Sequence, residues 1–157
     1  MSEPTVIHDT FTLERTYAAP VSRVFAFLSE PGKKRIWYAA AEGREVAAFD
    51  MDFRPDGVER LAIRMGKDTP FPGTMIVNAS RYEDIVTDQR VVLSGSMTLG
   101  ERRISSHLVT LELVAAGGST TLRITHQAAF YEGADGLERR KGGWEVLLAS
   151  LGDAIAA

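Results

Sequence analysis

Residues 105–156 read SSHLVTLELVAAGGSTTLRITHQAAFYEGADGLERRKGGWEVLLASLGDAIA. Through the first half, Val109, Leu111 and Leu113 alternate with Thr110 and Glu112. After Gly117-Gly118 the alternation resumes with Leu122 and Ile124 and runs to Phe130. Period-two runs on both sides of a glycine pair predict an antiparallel hairpin. Then the period changes. Trp144, Leu147, Leu148, Leu151 and Ile155 stand at i, i+3, i+4, i+7 and i+11, one apolar face of a helix that is predicted to begin near Asp135. A sheet with one apolar face, followed by one long amphipathic helix, buries that face under the helix.

The rest of the chain extends the same sheet. Phe11, Leu13, Arg15 and Tyr17 alternate with threonines and Glu14, which predicts a first strand ended by Ala19-Pro20. Val21, Val24, Phe25 and Leu28 follow helical spacing, and a second short helix is predicted from Ser29 and Pro31 towards Trp37. Alternation returns at Ala47, Phe49, Met51 and Phe53. Pro55-Asp56-Gly57 then turns the chain into a strand through Leu61, Ile63 and Met65. Further strands are predicted over Thr74–Glu83 and Val91–Leu99, separated by Thr87-Asp88 and followed by Gly100-Glu101. The expected fold class is α+β, since strands run together and helices are segregated. It is a curved antiparallel sheet of about six or seven strands wrapped around the C-terminal helix, with two short helices after the first strand. The whole chain is expected to be a single domain, with residues 1–9 as a flexible tail and His8 facing water.

Composition narrows the function classes. The 157 residues are 45% hydrophobic and 25% charged, ordinary for one globular domain. There is no cysteine, so disulfides, thiolate metal sites and cysteine nucleophiles are excluded. Eighteen basic residues against 21 acidic ones leave a net charge of −3, which argues against nucleic acid as a partner. Lys33-Lys34-Arg35 and Arg139-Arg140-Lys141 read as solvated helix faces. No apolar run approaches the ~20 residues of a membrane helix, and the N-terminus lacks a signal-peptide pattern. A cytoplasmic protein with no membrane partner is the expectation.

No strand–GxGxxG–helix pattern and no GxSxG elbow occurs, and no cofactor is expected. Asp50-Met51-Asp52 reads as the polar face of a strand whose apolar face carries Phe49, Met51 and Phe53. His107 shares parity with Val109 and Leu111, and His126 with Leu122 and Ile124, so both are predicted to point to the apolar face. A hairpin closed through Ala116-Gly117, or through Ala115–Gly118, sets the two directly opposite each other; a loop one step different sets His107 opposite Ala128. Two inward histidines have three readings: a hydrogen-bonded neutral pair, a polar patch in a ligand cavity, or a metal site. The last lacks a third ligand, and no metal is expected. Arg15 and Glu59 also share inward parity, and an Arg15–Glu59 pair would satisfy both charges. Trp37, Tyr82 and Trp144 complete the candidate cavity lining, with Trp144 expected to anchor the terminal helix in the sheet.

The order of elements and several runs resemble the START-like, helix-grip SRPBCC superfamily. Within it, the chain resembles homologues of the C-terminal domain of the activator of the heat-shock chaperone ATPase. The matching runs are Arg15-Thr16-Tyr17 before Ala19-Pro20 and Val24-Phe25; Trp37; Phe49 to Arg54 ahead of Gly57 and Glu59; Tyr82 to Val86; Arg90-Val91-Val92; Ile104-Ser105; and Gly143-Trp144. The resemblance implies a cavity between sheet and helix, small apolar ligands in many relatives, and cyclase-type enzymes in a few. Histidines stand at 107 and 126, where relatives often carry a small residue and an acidic one, and Asp56 replaces a glycine. The separate N-terminal domain of the chaperone activator is not in this sequence. Three functions are therefore expected in turn. The first is binding of an unidentified small hydrophobic, aromatic or lipid-like ligand. The second is a cyclase- or hydrolase-type enzyme with His107 or His126 as general base. The third is a surface module for a chaperone partner, with a homodimer left open.

Overall fold

The computed structural model of the chain describes residues 5–41 and 44–157; residues 1–4 of the expected tail lie outside them. Strand β1 (Ile7–Tyr17) leads into helix α1 (Val21–Ser29), helix α2 (Pro31–Lys34) and a π-helical turn, Arg35–Ala39. Six strands follow: β2 (Glu45–Met51), β3 (Val58–Arg64), β4 (Met75–Val86), β5 (Arg90–Leu99), β6 (Arg102–Ala116) and β7 (Ser119–Phe130). Helix α3 (Leu137–Ala156) closes the chain. All neighbours pair antiparallel in one seven-stranded sheet of order β1-β7-β6-β5-β4-β3-β2. β2 to β7 form a meander of successive neighbours, and β1 returns to the edge beside β7. Bulges at Val46/Ala48, Tyr82/Asp84 and Met97/Thr98 bend the sheet into its curve.

The expected α+β helix-grip architecture is the observed one. Three details differ. β1 begins at Ile7, so the last residues of the expected tail are strand: His8 pairs with Ala129 and Asp9 with Ala128. The bulge in β2 exposes Ala47 and turns Val46 inward instead. The β6–β7 hairpin closes through Gly117-Gly118, with Ala116 opposite Ser119. Gly117 sits at φ +63, a left-handed conformation that glycine reaches without strain, and this places the turn one step beyond the expected loop. His107 therefore pairs with Ala128, and His126 with Val109.

α3 lies on the concave face. Leu147, Leu148, Leu151 and Ile155 are buried in one core with Phe11, Leu13 and Tyr17 of β1, Leu122 and Ile124 of β7, and Val109 and Leu111 of β6. The Tyr17 hydroxyl donates to the Leu148 carbonyl at 2.8 Å, and Arg23 donates to the Ile155 carbonyl at 2.6 Å, tying the helix to β1 and α1. Trp144 does not join this buried stripe. It is only half-buried and packs against the core without entering it. Leu148, fully buried, sets the scale of the grip: Leu148→Ala is expected to cost about 2–5 kcal/mol in chemical denaturation. A loss under ~1 kcal/mol would show that the helix is not held by this stripe.

Candidate functional site

The helix covers the β1, β7 and β6 side of the curve and leaves the other side open. There a cavity of about 500 Å³ lies between Leu61 and Ile63 of β3, Ile76 and Asn78 of β4, Met97 of β5, Tyr38 of the π-helical turn, and Arg140, Gly143, Trp144 and Leu147 of α3. A smaller void of about 20 Å³, water-sized, shares the walls Tyr38, Asn78 and Trp144 with it and reaches inward to Lys34, Glu59, Ser80 and His107.

The register explains this polar interior. Inward positions of neighbouring strands line up in rows across the sheet. One row carries Glu59, Ser80, Gly95, His107 and Ala128. The row on one side carries Leu61, Asn78, Met97, Ser105 and Phe130, and the row on the other carries Tyr82, Leu93, Val109, His126 and Phe11. Gly95 stands between Ser80 and His107. Strands lie about 4.8 Å apart, so these two side chains start nearly 10 Å from each other. The missing side chain lets Ser80 Oγ and His107 Nε2 meet at 2.9 Å. A Cβ at Gly95 would fall 2.0 Å from the Ala79 carbonyl oxygen and 2.7 Å from Ser80 Oγ.

Glu59 is buried, with the inward parity expected of it, but its partner is not Arg15. Lys34 Nζ donates to Glu59 Oε2 at 2.7 Å, and the Tyr82 hydroxyl donates to the same oxygen. Lys34 also stands over the Tyr38 ring, 4.8 Å from its centroid. Arg15 is half-buried and donates to the adjacent Glu14 carbonyl. The Lys33–Arg35 run is thus not a solvated face throughout, since Lys34 is 3% exposed. Burial first, and then the Glu59 carboxylate, push the hydroxyls of Tyr38 and Tyr82 well above the usual tyrosine range, so both stay protonated donors.

The second basic run also hides a buried cation. Arg140 is 6% exposed and is held by Asp135 through Nε–Oδ2 and Nη2–Oδ1 contacts of 2.8 and 2.6 Å. Its Nη2 donates further to Ser105 Oγ at 3.0 Å, and its guanidinium lies 5.1 Å over the Phe130 ring.

The two histidines are diagonal rather than directly opposed, yet their ring centroids are 5.8 Å apart, and His126 stacks on Phe11 at 4.9 Å. Burial, followed by the Arg140 charge, lowers the His107 pKa from 6.5 to about 4. The same causes, with His107 as a third, lower His126 to about 3. Both are neutral at pH 7.

Of the expected lining residues, Trp144 borders the large cavity, and Trp37, Glu59 and His107 border the small void with it. Arg15, Tyr82 and His126 border neither. Trp37 is completely buried and donates Nε1–H to the Phe27 carbonyl at 2.8 Å, a core role. Sequence reasoning passed over Lys34, Asn78, Ser80, Ser105 and Arg140. Lys34 had a legible signal: it precedes Trp37 and Tyr38 by three and four residues, the spacing of one helical face. Among the described residues, no group of three or more histidine, aspartate or glutamate side chains is placed to hold a metal ion, and no helix is long and apolar enough to cross a membrane.

The profile of one family, the activator of Hsp90 ATPase homolog 1-like proteins, matches residues 18–156. The chain belongs to this family. A structure from Rhizobium leguminosarum shares 32% identity over 99% of each chain, with a TM-score of 0.91. The protein Mll3558 from Rhizobium loti shares 35% identity over 96% of this chain and 99% of its own, with a TM-score of 0.84. CalU16 from Micromonospora echinospora, 19% identical over 98% of this chain and 85% of its own, has the same helix-grip fold at a TM-score of 0.65. No curated protein matches the sequence.

Two outcomes are expected. Lys34→Met, which leaves the Glu59 carboxylate buried without a counter-charge, should cost about 3–5 kcal/mol, while Lys34→Met combined with Glu59→Leu should recover most of that loss. Equal losses in the single and double variants would deny the pair its role. The histidines set the second. Their folded-state pKa values lie below the unfolded value, so between about pH 6.5 and 4 the unfolded chain binds more protons. Stability from this source is full above pH 6.5 and declines as pH falls, by about 1.4 kcal/mol per pH unit per histidine. An NMR titration should find both rings neutral down to about pH 5, and a ring that titrates near 6.5 would contradict its burial.

Proposed function

We propose that the chain binds a small, mainly apolar or aromatic molecule between the sheet and α3. The observation that supports this best is the cavity itself: about 500 Å³, within the usual range for ligand sites, walled by Leu61, Ile63, Ile76, Met97, Trp144 and Leu147. Asn78, the Tyr38 hydroxyl and Arg140 stand among these apolar walls, and Arg44, Glu45, Arg64, Thr69, Asp135 and Arg139 complete the lining, so polar groups that could orient a ligand are at hand. General-base catalysis by His107 or His126 has less support, since imidazoles with pKa values of about 4 and 3 are weak bases at neutral pH. A chaperone-binding surface rests on the family name alone. The exposed large apolar side chains Ile36, Val58, Phe71, Leu108 and Val114 are spread over the π-helical turn, β3, the β3–β4 connection and β6.

Gly143 offers a clean test. It lines the cavity, and a Cβ built on it meets nothing within 4 Å. Gly143→Leu should fill the cavity while leaving the fold intact, and replacing a mid-helix glycine should add up to ~1 kcal/mol of stability. Native mass spectrometry of the purified protein, with titration of a naphthalene-type probe read by Trp144 fluorescence in a Trp37→Phe background, should show binding lost in Gly143→Leu. It should persist in Gly142→Leu, since Gly142 does not line the cavity. Unchanged binding in Gly143→Leu would place the ligand elsewhere.

A further inference from the structure

Three buried side-chain nitrogens lack a hydrogen-bond partner among the described residues: Arg140 Nη1, His107 Nδ1 and His126 Nδ1. Buried polar atoms are rarely left unpaired, and three in one neighbourhood call for a cause. They are neighbours by construction. Arg140 reaches the sheet at Ser105 and Phe130, which are paired in one cross-sheet row. His107 is the next inward residue of β6 after Ser105, about 7 Å along the strand, and His126 lies one row beyond. Ala128, opposite His107 and between Phe130 and His126 on β7, puts only a methyl group among them.

Arg140 is held on one edge and buried without a partner on the other. Asp135 and Ser105 accept from Nε and Nη2, so the guanidinium plane is fixed and Nη1 alone remains to donate. Arg140 lines the large cavity, and His107 lines the void that shares walls with it. His107 is fixed in turn through Nε2 by Ser80, which leaves Nδ1 as its free atom.

We propose that Arg140 Nη1 and His107 Nδ1 form a polar subsite at the inner end of the cavity, which receives an uncharged oxygen, a ketone or ester carbonyl, on an otherwise apolar ligand. This rests on the cavity being a ligand site. The charge state follows from the Asp135 contact. That carboxylate already balances the guanidinium, and the imidazoles are neutral, so a carboxylate head at this subsite would have to draw its counter-charge from the other arginines of the cavity lining, Arg44, Arg64 and Arg139. A carbonyl needs only donors, which Nη1 supplies in either state of the site and Nδ1 supplies in the tautomer that accepts from Ser80 at Nε2.

The test compares three probes of one shape by calorimetric titration: 2-acetylnaphthalene, 2-ethylnaphthalene and 2-naphthoate. The ketone should bind about tenfold tighter than the hydrocarbon in the unaltered protein. That preference should disappear in Arg140→Lys, which keeps a cation for Asp135, and in His107→Leu, while the hydrocarbon binds all three proteins alike. Equal affinity for ketone and hydrocarbon in the unaltered protein overturns the subsite but leaves the cavity as a ligand site. A preference that survives both substitutions also overturns it. If naphthoate binds tightest and loses most in Arg140→Lys, the head group is anionic and the carbonyl assignment is wrong. If none of the probes binds and native mass spectrometry finds no co-purified molecule, the cavity reading itself fails.

Discussion

One straight helix against one curved sheet is the constraint on which the rest of this protein depends. The stripe of Leu147, Leu148, Leu151 and Ile155 gains its burial from β1, β7 and β6, and the Tyr17 and Arg23 hydrogen bonds hold it there. A helix cannot follow the bend that the strand bulges impose, so its first turns leave the sheet's other flank uncovered. The cavity is the geometric remainder of that mismatch. Gly143 widens it further by presenting no side chain where the helix borders the cavity.

The interior of that remainder is polar in an ordered way. Rows across the sheet bring Glu59, Ser80 and His107 together from three strands, and the glycine at 95 removes the side chain that would separate the last two. The two buried cations come from opposite sides: Lys34 from the short helix after β1, and Arg140 from the start of α3. Each is matched by one carboxylate, which limits the cost of burying charge. The histidines follow another rule. With burial and the nearby Arg140 charge outweighing Asp135, they avoid the cost by staying neutral, and they become hydrogen-bonding groups rather than titrating ones.

Family membership and fold leave the chemistry open, because one scaffold hosts many activities and the site must carry the argument. CalU16 and this chain share a helix-grip fold at 19% identity, and that likeness speaks to backbone shape alone. What separates binding from catalysis here is local. In the proposed reading, unpartnered donors beside the cavity favour an oxygen-bearing apolar molecule, and histidines with pKa values of about 4 and 3 are weak bases at neutral pH.

The sequence by itself determined the element order, the antiparallel meander, the gripping helix and the inward parity of Glu59, His107 and His126. These follow from periodicities of two and 3.6 and from turn residues, which act over a few neighbours. It could not determine partners. Glu59 was open to Arg15 by parity, but Lys34 reaches it from a helix 25 residues earlier. Trp144 continues the helix's apolar face in sequence, yet it falls on the cavity because only the sheet's curvature says where that face stops being covered. Most telling is the hairpin: one residue of turn position, decided by a left-handed glycine, sets His107 beside Ala128 rather than His126. Register, curvature and charge pairing are properties of elements meeting across space, and only the tertiary structure carries them.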